Sequence, residues 1–129
     1  MMSTPEAKEI NLQDLSVDQL VERFTELALA QDKALLGENI PRVNQLFDSI
    51  EEVKSELQGR AGDQRRALLR LYDHPNAQVR LKAVKATLAV EPVAARRMLQ
   101  IIADSHEYPQ TGDAGMSIRY LKEGIYKPK

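Results

Sequence analysis

The segment from about residue 77 to residue 90 constrains the fold most, because it is apolar on two sides of one predicted helix. At 100° per residue, one side carries Val79, Ala83, Ala86 and Val90, and the second side carries Leu81, Val84 and Leu88. A helix with two apolar sides needs a packing partner on each of them. The pattern therefore predicts a central helix that lies between helical neighbours.

Apolar residues also recur at helical spacing along most of the remaining chain, and no segment alternates with the period of a strand. Ser16, followed three residues later by Gln19, is typical of a capping box at the start of a helix. Gly37 is predicted to end this first helix by adopting a positive φ. Pro41 suits the first turn of a second helix, where its missing N–H has no intrahelical partner anyway.

Three more helices complete the predicted architecture. They are expected at about residues 63–72, after residue 91 and at about residues 114–123. Connections this short join antiparallel neighbours, so the chain is predicted to be an all-α domain of about six helices. We expect a polar N-terminal lead-in over residues 1–15 and one helical domain over residues 16–129.

The composition fits a single soluble domain in a reducing compartment. The chain has 129 residues, of which 43% are hydrophobic and 29% are charged, and it contains no cysteine, which excludes disulfides. Its start lacks the basic and apolar regions of a signal peptide. No apolar run approaches the roughly 20 residues of a membrane span. We therefore expect a cytoplasmic protein that does not enter a membrane.

The two halves of the chain differ in charge. Residues 1–60 carry 12 acidic and 6 basic side chains, whereas residues 61–129 carry 7 acidic and 12 basic ones. Two interpretations are open: the halves attract each other, or the second half presents a basic recognition surface. The first is favoured, because uneven patterns of surface charge are common and each exposed charge contributes little. If the second holds, the partner-binding residues are those predicted to face solvent: Gln78, Lys82, Lys85, Arg96 and Arg97.

No group of residues has the spacing of a catalytic, cofactor or metal site. His74 and His106 are the only histidines, and neither belongs to a zinc-binding motif. Ser105 and His106 are neighbours on the chain and are not expected to point at each other as in a triad. Residues 112–115 lack the lysine of a phosphate loop and are predicted to be a tight turn with Asp113 as N-cap. We therefore expect no enzymatic activity, no cofactor and no metal.

Residues 71–83 resemble the turn and second helix of a HEAT repeat of the phycobilisome-lyase type. The pattern has a leucine, an acidic-proline turn, a Val-Arg pair and a small residue three positions after the arginine, here Ala83. The small residue allows a paired helix to approach closely. His74 stands where the usual turn aspartate would be, with Asp73 one position earlier, so the aspartate–arginine ladder of HEAT arrays is not expected.

Several further segments follow one another in the order of one bacterial family. They are Leu15-Ser16-Val17, Asn44-Gln45-Leu46-Phe47, residues 71–76 and 79–83, Gly112-Asp113-Ala114-Gly115-Met116 and residues 121–128. Together they resemble the uncharacterised family called domain of unknown function two thousand and nineteen, and the terminal motif is the most specific of them. The resemblance implies a HEAT-like α-α superhelix and carries no activity with it.

These observations favour a non-enzymatic protein–protein interaction module, such as an adaptor or an immunity-like binder. A stack of helical hairpins forms a rigid curved surface, and such surfaces bind partners. The alternative is a nucleic-acid-binding domain that uses the basic second half. It is less favoured, because a pI of about 6.1 and 5% aromatic residues are unlike a typical nucleic-acid-binding protein. The partner and the oligomeric state stay open at this point.

Overall fold

The computed structural model describes residues 10–129, and this part of the chain is helical throughout, without a strand. It contains five α-helices and two 3₁₀ helices. The α-helices are α1 (Val17–Leu36), α2 (Ile40–Gly59), α3 (Ala77–Thr87), α4 (Pro92–Ala103) and α5 (Gln110–Lys122). A short 3₁₀ helix (Leu12–Asp14) precedes α1, and a long one (Gln64–Leu71) lies between α2 and α3. The all-α prediction is confirmed.

The helices pack as three consecutive pairs. α1 contacts α2, the long 3₁₀ helix contacts α3, and α4 contacts α5. The central helix α3 also contacts α1 on one side and α4 and α5 on the other. The second members of the three pairs, α2, α3 and α5, come together along one edge of the molecule, where they line a groove.

Helix α3 separates two hydrophobic clusters, as its two apolar sides predict. Val79, Ala83 and Ala86 pack with α1, α2 and the long 3₁₀ helix. Leu81 and Val84 pack with α4 and α5. The helix ends at Thr87 rather than at residue 90, so Val90 is not part of the first cluster.

The capping residues explain where most helices begin. Ser16 and Gln19 form the predicted capping box, in which each side chain accepts a hydrogen bond from the other residue's backbone N–H. The Asn76 side chain accepts from the N–H groups of Gln78 and Val79 at the start of α3. Pro92 begins α4 as expected. These short polar side chains satisfy backbone donors that have no partner within the helix.

One local prediction for the first half is wrong. Gly37 follows α1 but has φ −86°, and the positive φ of 55° lies on the next residue, Glu38. The segment predicted as the third helix is helical, and it is a 3₁₀ helix. A 3₁₀ helix has three residues per turn, so its side chains at i and i+3 lie on one side. Arg65, Leu68 and Leu71 are all buried at that spacing.

Helix α5 starts at Gln110, four residues earlier than predicted, so Asp113 is in its first turn and is not an N-cap. Two glycines in this segment lower its intrinsic helix propensity and made a turn the natural prediction. Tertiary hydrogen bonds hold the first turn instead. The buried Gln110 side chain donates to Gln78 at 2.9 Å, and the Thr111 hydroxyl donates to the carbonyl of Ile102 at 2.9 Å.

The chain after α5 folds back onto the body. Gly124 adopts φ 71°, and the N–H groups of Ile125 and Tyr126 both donate to the carbonyl of Tyr120. Tyr126 packs against the second cluster, whereas Ile125 stays 65% exposed. The carbonyl of Lys129 accepts from the side chains of Gln58 and Arg65. Tyr126 therefore anchors the returning tail through its apolar contacts, and Ile125 does not.

The predicted lead-in is partly integrated into the domain. Residues 1–9 lie outside the described part of the chain. Leu12 and Leu15 pack against the first cluster, and the Arg60 guanidinium donates to both of their carbonyl oxygens. The end of the polar segment thus contacts the helical body through its two leucines.

Ala83→Leu should lower the free energy of unfolding by about 1–3 kcal/mol, because Ala83 is fully buried between α3 and its neighbours and added methylenes overpack the cluster. Ala89→Leu, at an exposed position just after α3, is the matched control and should change stability little. The thermal midpoints of both variants test this expectation, and an unchanged midpoint for Ala83→Leu would contradict the close packing of α3.

Candidate functional site

A groove of about 600 Å³ lies between α2, α3, α5 and the folded-back tail. Its lining combines apolar side chains with a few charged ones. We call this the main groove; its residues are Phe47, Ile50, Glu51, Lys54, Lys82, Lys85, Ala86, Gly112, Asp113, Met116, Ser117, Tyr120 and Tyr126. A concave, mostly apolar site with a few polar groups is the usual form of a binding site.

Lys82 is the least solvated charged residue of the main groove, with 9% of its surface exposed. Its ammonium nitrogen lies 4.6 Å from the centroid of the Phe47 ring, in cation–π contact. Among the described residues, no hydrogen bond or ion pair reaches this nitrogen. The other two lysines differ in this respect: Lys54 Nζ lies 3.2 Å from Glu51 Oε2, and Lys85 Nζ lies 3.0 Å from Asp113 Oδ1.

The surroundings of Lys82 disfavour its charged form. Burial lowers the pKa of Lys82 from its ordinary 10.5 to about 8, and the nearby charge of Lys85 acts in the same direction. The carboxylates of Glu51 and Asp113 oppose this change but are too weakly coupled to cancel it. A buried cation without a carboxylate partner is energetically unfavourable in the free protein.

Apolar side chains remain exposed around the main groove. Phe47 is 45% exposed, Met116 57% and Tyr120 38%. Tyr126 closes one side and is about half-buried, which raises the pKa of its hydroxyl. The hydroxyl of Ser117 donates to Asp113 Oδ1 at 3.2 Å, so this carboxylate is held by both Ser117 and Lys85. The charged groups are thus fixed, while the apolar rim is open to a ligand.

A smaller groove of about 250 Å³ adjoins the main groove and shares Phe47, Lys82, Lys85 and Asp113 with it. Its wall includes a row of buried amides that connects three helices. Gln78 Nε2 donates to Gln31 Oε1 on α1 at 2.8 Å, and Gln110 Nε2 on α5 donates to Gln78 Oε1 at 2.9 Å. These bonds satisfy buried polar groups and fix the positions of α1, α3 and α5.

The five predicted partner-binding residues do not form one solvent-facing surface. Gln78 and Lys82 are buried, with 6% and 9% exposure, so the expectation that they face solvent is wrong. Both lie between the two apolar sides of α3, where Gln78 contacts Gln31 of α1 and Gln110 of α5, and Lys82 contacts Phe47 of α2. Lys85 is partly exposed and lines the main groove with Lys82. Arg96 and Arg97 are exposed on α4 and are not among the described residues that line either groove.

Most of the ion pairs formed by the second half lie within that half. Of the eight ion pairs among residues 10–129, only Arg70–Asp18 joins the two halves of the chain, and both of its side chains are more than half exposed. Such a pair contributes little. The remaining pairs of the second half are Arg65–Asp63, Arg66–Glu91, Arg80–Glu107, Lys85–Asp113 and Arg119–Glu123. Attraction between the halves therefore contributes little to the fold.

The two histidines and Ser105 lie in turns and loops between helices. His74 Nδ1 accepts from the N–H of Asn76 at 3.0 Å and so stabilises the turn before α3. The Ser105 hydroxyl donates to the carbonyl of Ile102, and His106 is exposed on the following loop with φ 62°. Within residues 10–129, no group of three histidines or carboxylates is placed to hold a metal ion. None of the described helices is long and apolar enough to cross a membrane.

The sequence did not indicate Phe47, Met116 and Tyr120 as site residues. Phe47 belongs to the apolar stripe of α2, which predicts a core position, but it lies at the edge of that stripe and is 45% exposed. Met116 directly follows the predicted turn at residues 112–115 and lies within the predicted last helix. Only the contact of α5 with α3 brings these side chains to one groove.

Comparisons with known proteins support the family resemblance. The family model described as Domain of unknown function (DUF2019) matches residues 18–122. The crystal structure of the protein RPA1889 from Rhodopseudomonas palustris is similar to the whole fold, with a TM-score of 0.89 and 48% sequence identity. That alignment covers 94% of this chain and 100% of the other. A search of curated proteins gave no match. The chain belongs to the family described as Domain of unknown function (DUF2019).

Proposed function

We propose that the protein is a non-enzymatic binding module that receives a segment of a protein partner in the main groove. The observation that carries this proposal is the open apolar rim of Phe47, Met116 and Tyr120 around a groove held by three helices. Exposed apolar groups clustered at a concave site are typical of a surface that a partner covers. An adaptor or an immunity-like binder in the bacterial cytoplasm would use such a site.

The helical arrangement supports a HEAT-like interpretation of the fold. Three helical pairs follow one another, and the second helix of each pair lines the main groove. In helical-repeat proteins, stacked pairs create extended concave surfaces that bind partners. The turn before α3 adds to this likeness, because Asn76 Nδ2 donates to Asp32 on α1 and so links two neighbouring pairs through polar side chains.

An enzymatic role has less support. The acidic groups that line the main groove are Glu51 and Asp113, and each is within 3.2 Å of a lysine ammonium. A general base needs a free carboxylate or imidazole near the reacting proton. A nucleic-acid-binding role has less support as well, because Arg66 and Lys85 each pair with a carboxylate of the second half and Arg70 pairs with Asp18 of the first.

Site-specific photocrosslinking in native cells tests the proposal. With p-benzoylphenylalanine in place of Tyr120, on the rim of the main groove, we expect a crosslink to one protein partner. The matched control carries the same group in place of Tyr108, which is 69% exposed on the loop before α5 and outside the groove lining. We expect no crosslink to that partner from Tyr108, because the partner segment contacts only the groove.

Reconstitution with the identified partner completes this test. In a binding assay with both purified proteins, Met116→Glu should weaken the complex at least tenfold, because an exposed apolar contact becomes a charge that must be desolvated. The proposal is wrong if the partner crosslinks equally from both positions, or if Met116→Glu leaves the affinity unchanged.

A further inference from the structure

We propose that the main groove recognises an acidic residue flanked by apolar residues in the partner segment, with the acidic carboxylate bound by the ammonium of Lys82. This inference rests on the proposed function and adds the chemistry of the ligand to it. Its starting point is that Lys82 is nine-tenths buried, lines the main groove and has no anionic partner among the described residues.

The electrostatics of the main groove match a single negative charge. Three cationic and two anionic side chains line it, and four of these five form two internal ion pairs: Lys54 with Glu51 and Lys85 with Asp113. One positive charge, that of Lys82, remains uncompensated. A carboxylate neutralises it, whereas a phosphate group carries about −1.5 to −2 charges and would leave excess negative charge in a poorly solvated site.

The lining predicts apolar groups on both sides of that carboxylate. Phe47 lies directly beside the ammonium, and Met116 and Tyr120 extend the apolar surface along α5. A carboxylate carried on an apolar segment would be desolvated on binding, and its attraction to an equally desolvated ammonium is then much stronger than in water. An isolated hydrophilic acid would leave this rim uncovered.

The shape of the site favours a peptide segment over a compact small molecule. The main groove of about 600 Å³ and the smaller groove of about 250 Å³ adjoin, with Lys82 and Phe47 lining both. Lys82 therefore lies where the two grooves meet, so that a chain bound through its carboxylate could extend into either of them. The buried amides of Gln78 and Gln110 rigidify the smaller groove.

Selection from a random 12-residue peptide display library tests the inference even while the natural partner is unidentified. With the wild-type protein as bait, we expect enriched peptides that contain an aspartate or glutamate between apolar residues. Their binding should fall at least tenfold when the acidic residue is changed to its amide. Lys82→Met should remove this preference, whereas Arg97→Met, which removes one positive charge outside both grooves, should retain it.

The outcomes separate this inference from the proposed function. Peptides that bind Met116→Glu more weakly than the wild type bind in the groove. If such peptides show no preference for an acidic residue, the inference alone is overturned. The same conclusion follows if Lys82→Met retains that preference. Titration with 4-phenylbutyrate and its amide forms a second arm. If no peptide binds the groove but 4-phenylbutyrate binds the wild type and not Lys82→Met, the ligand is a small carboxylic acid, and both the peptide assignment and the proposed function are wrong. If neither probe binds, both are also wrong.

Discussion

Lys82→Met should stabilise the free protein at pH 7 by up to about 3 kcal/mol. The reason is that the folded state keeps the Lys82 ammonium in a poorly solvated position without an anionic partner, which lowers its pKa from 10.5 to about 8. This difference in pKa corresponds to about 3 kcal/mol of unfavourable free energy for the charged form. Methionine has a similar unbranched shape and retains the apolar contacts of the lysine stem.

The stabilisation should depend on pH in a defined direction. Below about pH 8, Lys82 is charged in both the folded and the unfolded state, so the folded state is destabilised by the full free-energy cost of the buried charge. Between about pH 8 and pH 10.5 the unfolded state binds more protons than the folded state, and the stability of the wild type rises with pH. Above 10.5 both states are neutral at this position. The advantage of Lys82→Met should therefore be largest at pH 7 and shrink towards pH 10.5.

Urea unfolding of both proteins at pH 7 and at pH 10.5 measures this effect. Lys122→Met is the matched control, because Lys122 is exposed on α5, and its substitution should change stability by less than about 0.5 kcal/mol at either pH. A Lys82→Met variant that is less stable than the wild type at pH 7 would show that Lys82 is satisfied in the free protein. Stability sacrificed at a binding residue is a common feature of functional sites.

Deletion of residues 113–129 should abolish the cooperative fold or leave an aggregating protein. These residues form most of α5 and the returning tail, and they contribute Ala114, Leu121 and Tyr126 to the second cluster. Without them, the buried faces of Leu99 and Ile102 on α4 become solvent-exposed. Each large apolar side chain returned to water costs about 1.5–3 kcal/mol, against a total stability of about 5–15 kcal/mol for a typical domain.

Size-exclusion chromatography and thermal unfolding of the shortened chain check this expectation. Deletion of residues 127–129 alone is the control. It keeps Tyr126 in place and removes the Lys129 carbonyl that accepts from Gln58 and Arg65. Loss of the bond from Gln58 should cost about 1 kcal/mol, and loss of the bond from the buried, charged Arg65 about 1.5–3 kcal/mol. A monomeric chain of residues 1–112 with the stability of the intact protein would mean that α5 is a recognition element and not part of the core.

The sequence determined the elements whose evidence is local. The two apolar sides of α3 follow from the 100° rotation between successive residues, and both are buried as predicted. The starts of α1 at Ser16 and of α3 at Asn76 follow from side chains that accept backbone hydrogen bonds within three residues. The all-α class follows because these periodic segments leave no room for strands. The family was indicated by short motifs along the chain and is confirmed.

Tertiary contacts decided the elements that depend on distant residues. Helix α5 begins at Gln110 in spite of two glycines, because Gln110 and Thr111 make buried hydrogen bonds to α3 and α4. Lys82 was predicted to face solvent, because the helical pattern of α3 leaves a polar gap there. In the folded protein, residues of α2 and α5 line the main groove with Lys82, and the expected surface lysine becomes a buried charge. The sequence of a single helix shows which of its residues are polar. Only the packing of neighbouring helices decides which of those polar residues are buried.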